Sequence, residues 1–176
     1  MISGMTTLKG LPPILPKHPR ILILGSMPSA RSLAEGRYYA HPRNLFWPLL
    51  ADILGESPPP AGYAGRVAAA KRAGIAVWDV LAECRRRGSA DAAIARDSER
   101  ANDIAELLAR HPSVRAVALN GGRAKQCFMR HIKTAADAEL LFLPSTSPAN
   151  AGMPRARKAA EWRRLAPFLF NGGGGK

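Results

Sequence analysis

Four short apolar runs, residues 21–25, 75–80, 114–119 and 140–143, are spaced along this chain with stretches of helical character between them. The first, Ile21 to Leu24, has no polar alternation, as expected of a strand covered on both faces. Gly25 closes it, and Pro28 forbids its continuation as a paired central strand. Helices are expected from Asn44, a good N-cap, through Phe46, Leu49, Leu50, Ile53 and Leu54. Others are expected over about 63–73, over 101–110 to the break at His111-Pro112, from Gly122 to about Ile132, and over about 155–166. In the last of these Trp162 and Leu165 point inward, and Arg155, Arg157, Lys158, Arg163 and Arg164 point mostly outward. Residues 83–99 are polar and charged and read as a surface excursion. No hairpin signal interrupts the alternation, so the fold class is α/β, a three-layer α/β/α arrangement around a four-stranded parallel sheet. Right-handed crossovers then bring the loops 25–44, 120–122 and 144–154 to one edge of that sheet.

The 176 residues suit a single domain, 1–176, with a Pro-rich extended lead-in over 1–20 and a flexible tail over 171–176. A formal net charge of +13 favours a polyanionic partner, and nucleic acid is the natural one. Cys84 and Cys127, the only cysteines, cannot build a four-cysteine metal site. No apolar run approaches the ~20 residues of a membrane span, and Met1 to Lys17 lacks the apolar core of a secretion signal. A cytoplasmic, nucleoid-associated protein is expected. No G-x-G-x-x-G, H-E-x-x-H or G-x-S-x-G motif supports dinucleotide binding, metalloprotease or α/β-hydrolase chemistry. The tail Asn171-Gly172-Gly173-Gly174-Gly175-Lys176 imitates a phosphate loop in composition only, since no helix follows it.

What remains are two loops at strand ends, Gly25-Ser26-Met27-Pro28-Ser29 and Leu143-Pro144-Ser145-Thr146-Ser147-Pro148, and the segment Tyr38-Tyr39-x-His41-Pro42-x-Asn44-x-Phe46-Trp47. Together, with Asn120-Gly121 and the closing Trp162 helix, they resemble the uracil-DNA glycosylase superfamily, and within it the hypoxanthine-DNA glycosylase family. The likeness runs over about residues 18–168. It implies a four-stranded parallel sheet between helices. It also implies a monofunctional glycosylase that flips a deaminated base from DNA and hydrolyses its N-glycosidic bond, hypoxanthine first and uracil or xanthine as further substrates. The best-known uracil enzymes carry an Asp where this chain has Met27 and a His where it has Leu143, so two groups that stabilise a departing uracil anion are missing.

The resemblance assigns the main catalytic role to Asn44. A carboxamide is no strong base, but it can hold a water near the sugar C1′ or hydrogen-bond the flipped base; its other reading is the helix N-cap. Gly25, Ser26, Met27, Pro28, Tyr39 and Asn120 are expected around the base. Phe46 reads either as the platform under a flipped purine or as helix core. His41 reads as structural or as a contact to phosphate or base. Ser29, Ser145, Thr146, Ser147 and Asn150 are expected at the DNA backbone. Met153 is expected either as a wedge filling the space of the extruded nucleotide or as a staple for the last helix. Arg155, Arg157 and Lys158 follow it toward flanking phosphates, while Arg85-Arg86-Arg87 has the weaker claim of a charge run. No Lys lies in either loop to supply lyase chemistry. Neither a metal nor an organic cofactor is expected; the partner is DNA containing deaminated bases, acted on by a monomer. The rival reading is a basic nucleic-acid-binding module that kept this scaffold without the chemistry.

Overall fold

The computed structural model describes residues 6–169; the expected tail over 171–176 lies outside them. Four strands, β2 (Ile21–Gly25), β3 (Ile75–Asp79), β6 (Ala116–Asn120) and β7 (Glu139–Leu143), form a parallel sheet in the order β3-β2-β6-β7. Three more, β1 (Thr7–Lys9), β4 (Leu81–Arg86) and β5 (Ile94–Ala101), form a separate antiparallel sheet in the order β1-β4-β5.

The parallel sheet divides the core into two layers by simple alternation of side chains. Ile21, Ile23, Ile75, Val77, Ala116, Ala118, Leu141 and Leu143 face one way. There they meet α2 (Phe46–Leu54), α3 (Tyr63–Arg72), α6 (Arg155–Trp162) and α7 (Ala166–Leu169), with Phe46 and Trp162 fully buried. Leu22, Leu24, Ala76, Val117 and Leu119 face the other way. Ile104, Leu107 and Leu108 of α4 (Ile104–Arg110), with Cys127 and Phe128 of α5 (Gly122–His131), cover them. Both cysteines are buried free thiols. The three-layer arrangement read from the apolar runs is therefore the fold.

The excursion expected over 83–99 is instead the β4–β5 hairpin, stitched to the chain's beginning by pairing of Leu8 with Cys84. Its charges hid it, because several of them point inward and are paired there. Glu99, with a side chain wholly out of solvent, takes Arg123 at 2.5 Å, Arg130 at 2.6 Å and His131 at 2.7 Å, clamping the hairpin onto α5. Burial raises the Glu99 pKa, but the His131 and Arg130 hydrogen bonds and the charges of Arg123 and Arg130 outweigh it and hold it below the ordinary glutamate value.

The three arginines expected to behave as one charge run have three fates. Arg85 pairs with Asp97 at 2.7 Å, Arg86 is buried and donates to the carbonyls of Pro28 (2.6 Å) and Gly88 (2.8 Å), and Arg87 is exposed. Lys158, expected outward toward phosphate, is buried, with Nζ 2.7 Å from the Asn150 carbonyl; its ammonium satisfies a loop carbonyl instead of meeting solvent. No described helix is long and apolar enough to cross a membrane.

Candidate functional site

Parallel pairing fixes where the strand ends meet. Gly25 lies in register with Asp79, and Asn120 with Leu143, so the segments following all four strands emerge along one edge. A cavity of about 870 Å³ opens there. The loop after β2 supplies Gly25 through Ser29 to its wall, the segment before α2 supplies Tyr39, His41 and Asn44, and the turn after β7 supplies Ser145, Thr146, Ser147, Asn150 and Met153. Asn120 and Gly121 lie between them, and Ser89 to Ala92 at the tip of the β4–β5 hairpin close one side.

Asn44 sits where two of these walls join. The Leu45 amide donates to the Thr146 carbonyl at 3.0 Å, which ties the segment before α2 to the turn after β7. That anchor moves the start of the helix: α2 begins at Phe46 instead of Asn44, with Leu45 at the cap position. The Asn44 Oδ1 still accepts from the Phe46 amide at 2.9 Å, so the residue retains a capping contact. This bond fixes the carboxamide's orientation and leaves its Nδ2 group without a protein partner, half-buried at the cavity wall.

Phe46 is not a platform open to the cavity. It is fully buried, edge-on to Trp47 (centroids 4.9 Å) and to Trp162 (5.9 Å). One helical turn of core packing claims it, since Phe46, Leu49 and Leu50 share the face that meets the sheet. Its free face is taken by Tyr39, stacked at 3.9 Å and 17°. Tyr39 is the aromatic that lines the cavity, and it does so from a left-handed backbone (φ 53°), which costs about 1–3 kcal/mol in a bulky residue. Its buried phenol makes no hydrogen bond of ordinary geometry, with the Asn120 carboxamide as its neighbour. Burial, followed by the charge of Asp79, raises its pKa. The adjacent Tyr38 turns the other way, its hydroxyl donating to the Leu11 carbonyl at 3.1 Å.

Several expected DNA contacts are engaged inside the protein. Thr146 is buried: its amide donates to Asn120 Oδ1 (3.0 Å), its hydroxyl accepts from Asn120 Nδ2 (3.0 Å) and its carbonyl accepts from Leu45. Its burial, not a lack of donors, keeps its hydroxyl from a phosphate, and the Asn120 carboxamide is a staple between two loops more than a free base contact. Asn150 donates to the Ser145 carbonyl at 3.1 Å and gives its own carbonyl to Lys158, which shapes the turn. The Ser29 hydroxyl caps the short helix α1 (Ala30–Glu35) by accepting from the Ser32 amide at 3.1 Å. Ser145 and Ser147 are half-buried along the rim, as is Met153. Arg155 and Arg157 lie outside the cavity on the exposed face of α6, Arg155 within 3.2 Å of Asp52. His41 lines the cavity and accepts from the Arg43 amide at 3.1 Å through Nδ1.

Two carboxylates in the cavity wall were not among the expected residues. Asp79 ends β3, is buried, and has an Oδ2 with no partner. Burial, then the charge of Asp91, push it up to about 8 against the opposing charge of Arg86. A side chain at residue 25 would collide with Asp79 Oδ1 and lie 3.3 Å from the Tyr39 hydroxyl, so glycine is what admits both oxygens to this corner. Asp91 reaches in from the hairpin tip and is likewise raised by burial, with the Ser26 hydroxyl and Arg86 pulling it back. The signal for Asp79 was present in the sequence: a lone acidic residue at the carboxyl end of an apolar strand, on the edge where the loops converge. No group of three or more His, Cys, Asp or Glu among the described residues is placed to hold a metal ion.

Comparison with known proteins finds relatives over most of the chain. The model of the uracil DNA glycosylase superfamily matches residues 12–168. A hypoxanthine DNA glycosylase from Methanosarcina barkeri is 35% identical over 151 residues, 86% of this chain and 93% of that protein. A second, from Methanosarcina acetivorans, is 33% identical over 157 residues, 89% and 96% of the two chains. A solution NMR structure from Methanosarcina acetivorans, described as a candidate uracil DNA glycosylase, superposes with a TM-score of 0.80 at 31% identity, over 93% of this chain and 99% of that one.

Proposed function

This chain belongs to the uracil DNA glycosylase superfamily, and from that premise we propose that it is a monofunctional DNA glycosylase of base excision repair, acting first on hypoxanthine, with uracil or xanthine as lesser substrates. The observation that carries this reading is the Asn44 carboxamide, oriented by its bond to the Phe46 amide and presenting a free Nδ2 to a cavity bounded by the two strand-end loops. An N-glycosidic bond breaks with positive charge growing on the sugar and electron density moving onto the base. Hydrolysis then needs a water positioned at C1′ more than a strong base to ionise it. Asn44 positions that water; Tyr39, backed by Phe46, stacks against the flipped base; and the base's growing charge falls toward the 25–29 loop.

Ser145 and Ser147, with Arg155 and Arg157 beyond them, contact the phosphates, and Met153 at the rim fills the gap left in the duplex. The enzyme acts as a monomer on chromosomal DNA, and the chemistry proposed needs neither a metal nor an organic cofactor. A non-catalytic binding module is not favoured, because the polar cavity would then serve no purpose that surface charge alone does not.

The test is incubation with labelled duplexes carrying inosine, uracil or xanthine, followed by hot alkali. Scission is expected at inosine. Asn44→Ala should lower single-turnover excision by about a hundredfold or more while inosine-duplex binding changes only a few-fold. Undiminished excision by that variant would remove Asn44 from the reaction.

A further inference from the structure

We propose that Asp79 is the proton donor to the departing purine, a role that rests on the glycosylase reading above and adds a second catalytic group to Asn44. The carboxyl group closes the cavity at the end of β3, it is buried, and its Oδ2 is unpartnered. The tyrosine hydroxyl that shares its corner is also without a partner. Two orphaned oxygens on one side of a cavity are a costly arrangement unless a ligand meets them.

The charged and titratable groups facing Asp79 do not neutralise it. Arg86, on β4, opposes the shift by its charge, but its Nε and Nη2 donate to the Gly88 and Pro28 carbonyls and its buried Nη1, itself without a partner, makes no hydrogen bond to Asp79. Asp91 at the hairpin tip adds a like charge. Tyr38 and Tyr39 are held in the phenol form by burial and by Asp79 itself. With its carboxyl pushed up to about 8, Asp79 carries a proton at neutral pH and has no protein acceptor for it.

The step balances without any further reactant. As the C1′–N9 bond breaks, its electron pair passes to the purine. The Asp79 proton moves to an exposed purine ring nitrogen, so the base leaves neutral. The water held at Asn44 adds its oxygen to C1′ and releases a proton that returns to the carboxylate through solvent. Purines offer basic ring nitrogens for such a transfer, whereas uracil leaves readily as an anion. A donor here therefore compensates for the anion-stabilising groups replaced by Met27 and Leu143, and it does so for purines in particular.

The experiment is the pH dependence of single-turnover excision from an inosine duplex by the wild-type protein and by Asp79→Asn, which keeps the volume and a hydrogen-bond donor but has no transferable proton. The wild-type rate should be level at neutral pH and fall about tenfold per unit above pH ~8; the variant should be about a hundredfold slower at neutral pH, bind the duplex equally, and lack that fall. A variant within threefold of wild type, or one that retains the alkaline fall, overturns the proposal, as does a wild-type rate that stays level to high pH. Should the variant fail to fold, carbon NMR of the wild-type Asp79 carboxyl decides. A midpoint matching the kinetic fall supports the role, and one in the ordinary carboxylate range overturns it. A wild-type protein that cleaves none of the modified duplexes refutes the glycosylase reading itself, which is a different result from cleavage indifferent to Asp79.

Discussion

Replacing Asn120 by alanine is the perturbation that most directly tests how the site is assembled. The Asn120 side chain makes two hydrogen bonds to Thr146, each 3.0 Å, across the junction between β6 and the turn after β7. Alanine leaves the buried Thr146 amide without an acceptor, at about 1–3 kcal/mol, and removes a second bond to a hydroxyl that can rotate elsewhere, at about 1 kcal/mol. The expected loss is about 2–4 kcal/mol, read as a lower urea midpoint with an unchanged slope. The same staple holds the Thr146 carbonyl over the Leu45 amide, one residue from Asn44. Single-turnover excision should therefore fall more than duplex binding does. Thr146→Val alone should cost about 1–2 kcal/mol, and the double variant should cost less than the sum of the two, because both remove one shared contact. Strict additivity, or a loss below about 0.5 kcal/mol for Asn120→Ala, would refute the idea that this carboxamide joins the loops.

Gly121→Ala should be destabilising by about 2 kcal/mol or more in thermal melts, since φ +96° with ψ 169° is nearly confined to glycine and a Cβ there would lie 2.8 Å from that of Ser145. Glu99→Ala should strip the inward cations of their shared partner at about 2–4 kcal/mol, and amide exchange should quicken across 81–101 while 21–25 and 116–120 stay protected. Because Asp79 binds its proton more tightly when folded than unfolded, its contribution is full below its unfolded value near 4 and is lost as pH rises to about 8, at about 1 kcal/mol per pH unit. Urea midpoints of the wild type should therefore drop between pH 5 and 8 more steeply than those of Asp79→Asn; parallel curves would contradict an unpaired buried acid.

The parallel sheet was legible because its strands are short and apolar and the inner ones are covered on both sides, a pattern that leaves little choice of fold; the edge strand β7, with Phe142 exposed, is covered on one side only. Asn44 and the two strand-end loops were legible for a related reason, since polar and aromatic groups crowd into otherwise alanine-rich sequence at the edge where such sheets bind ligands. The hairpin was not, because charge normally marks a solvated surface; Glu99 is buried against Arg123 and Arg86 against the Pro28 carbonyl, partners more than twenty residues away. Phe46 and Tyr39 show the same limit at one residue's scale. Both are aromatic and both lie near Asn44, and only the packing of α2 decides which ring faces inward and which lines the cavity. Lys158 and Thr146 read as DNA contacts by residue type, yet each is consumed in holding a loop carbonyl or carboxamide.

The tip of the antiparallel hairpin closes one side of the cavity, yet the ladder it belongs to is distinct from the one that carries Asn44's neighbours. That separation makes the enclosure an attachable faceplate on a constant chassis. Residues 87–93 can lengthen, shorten or change polarity, reshaping that side of the enclosure and, through Asp91, the charge felt at Asp79, while the corner framed by the parallel strands keeps its dimensions. Divergence in which lesion is removed can thus proceed through a handful of turn residues, without a single substitution in the four parallel strands.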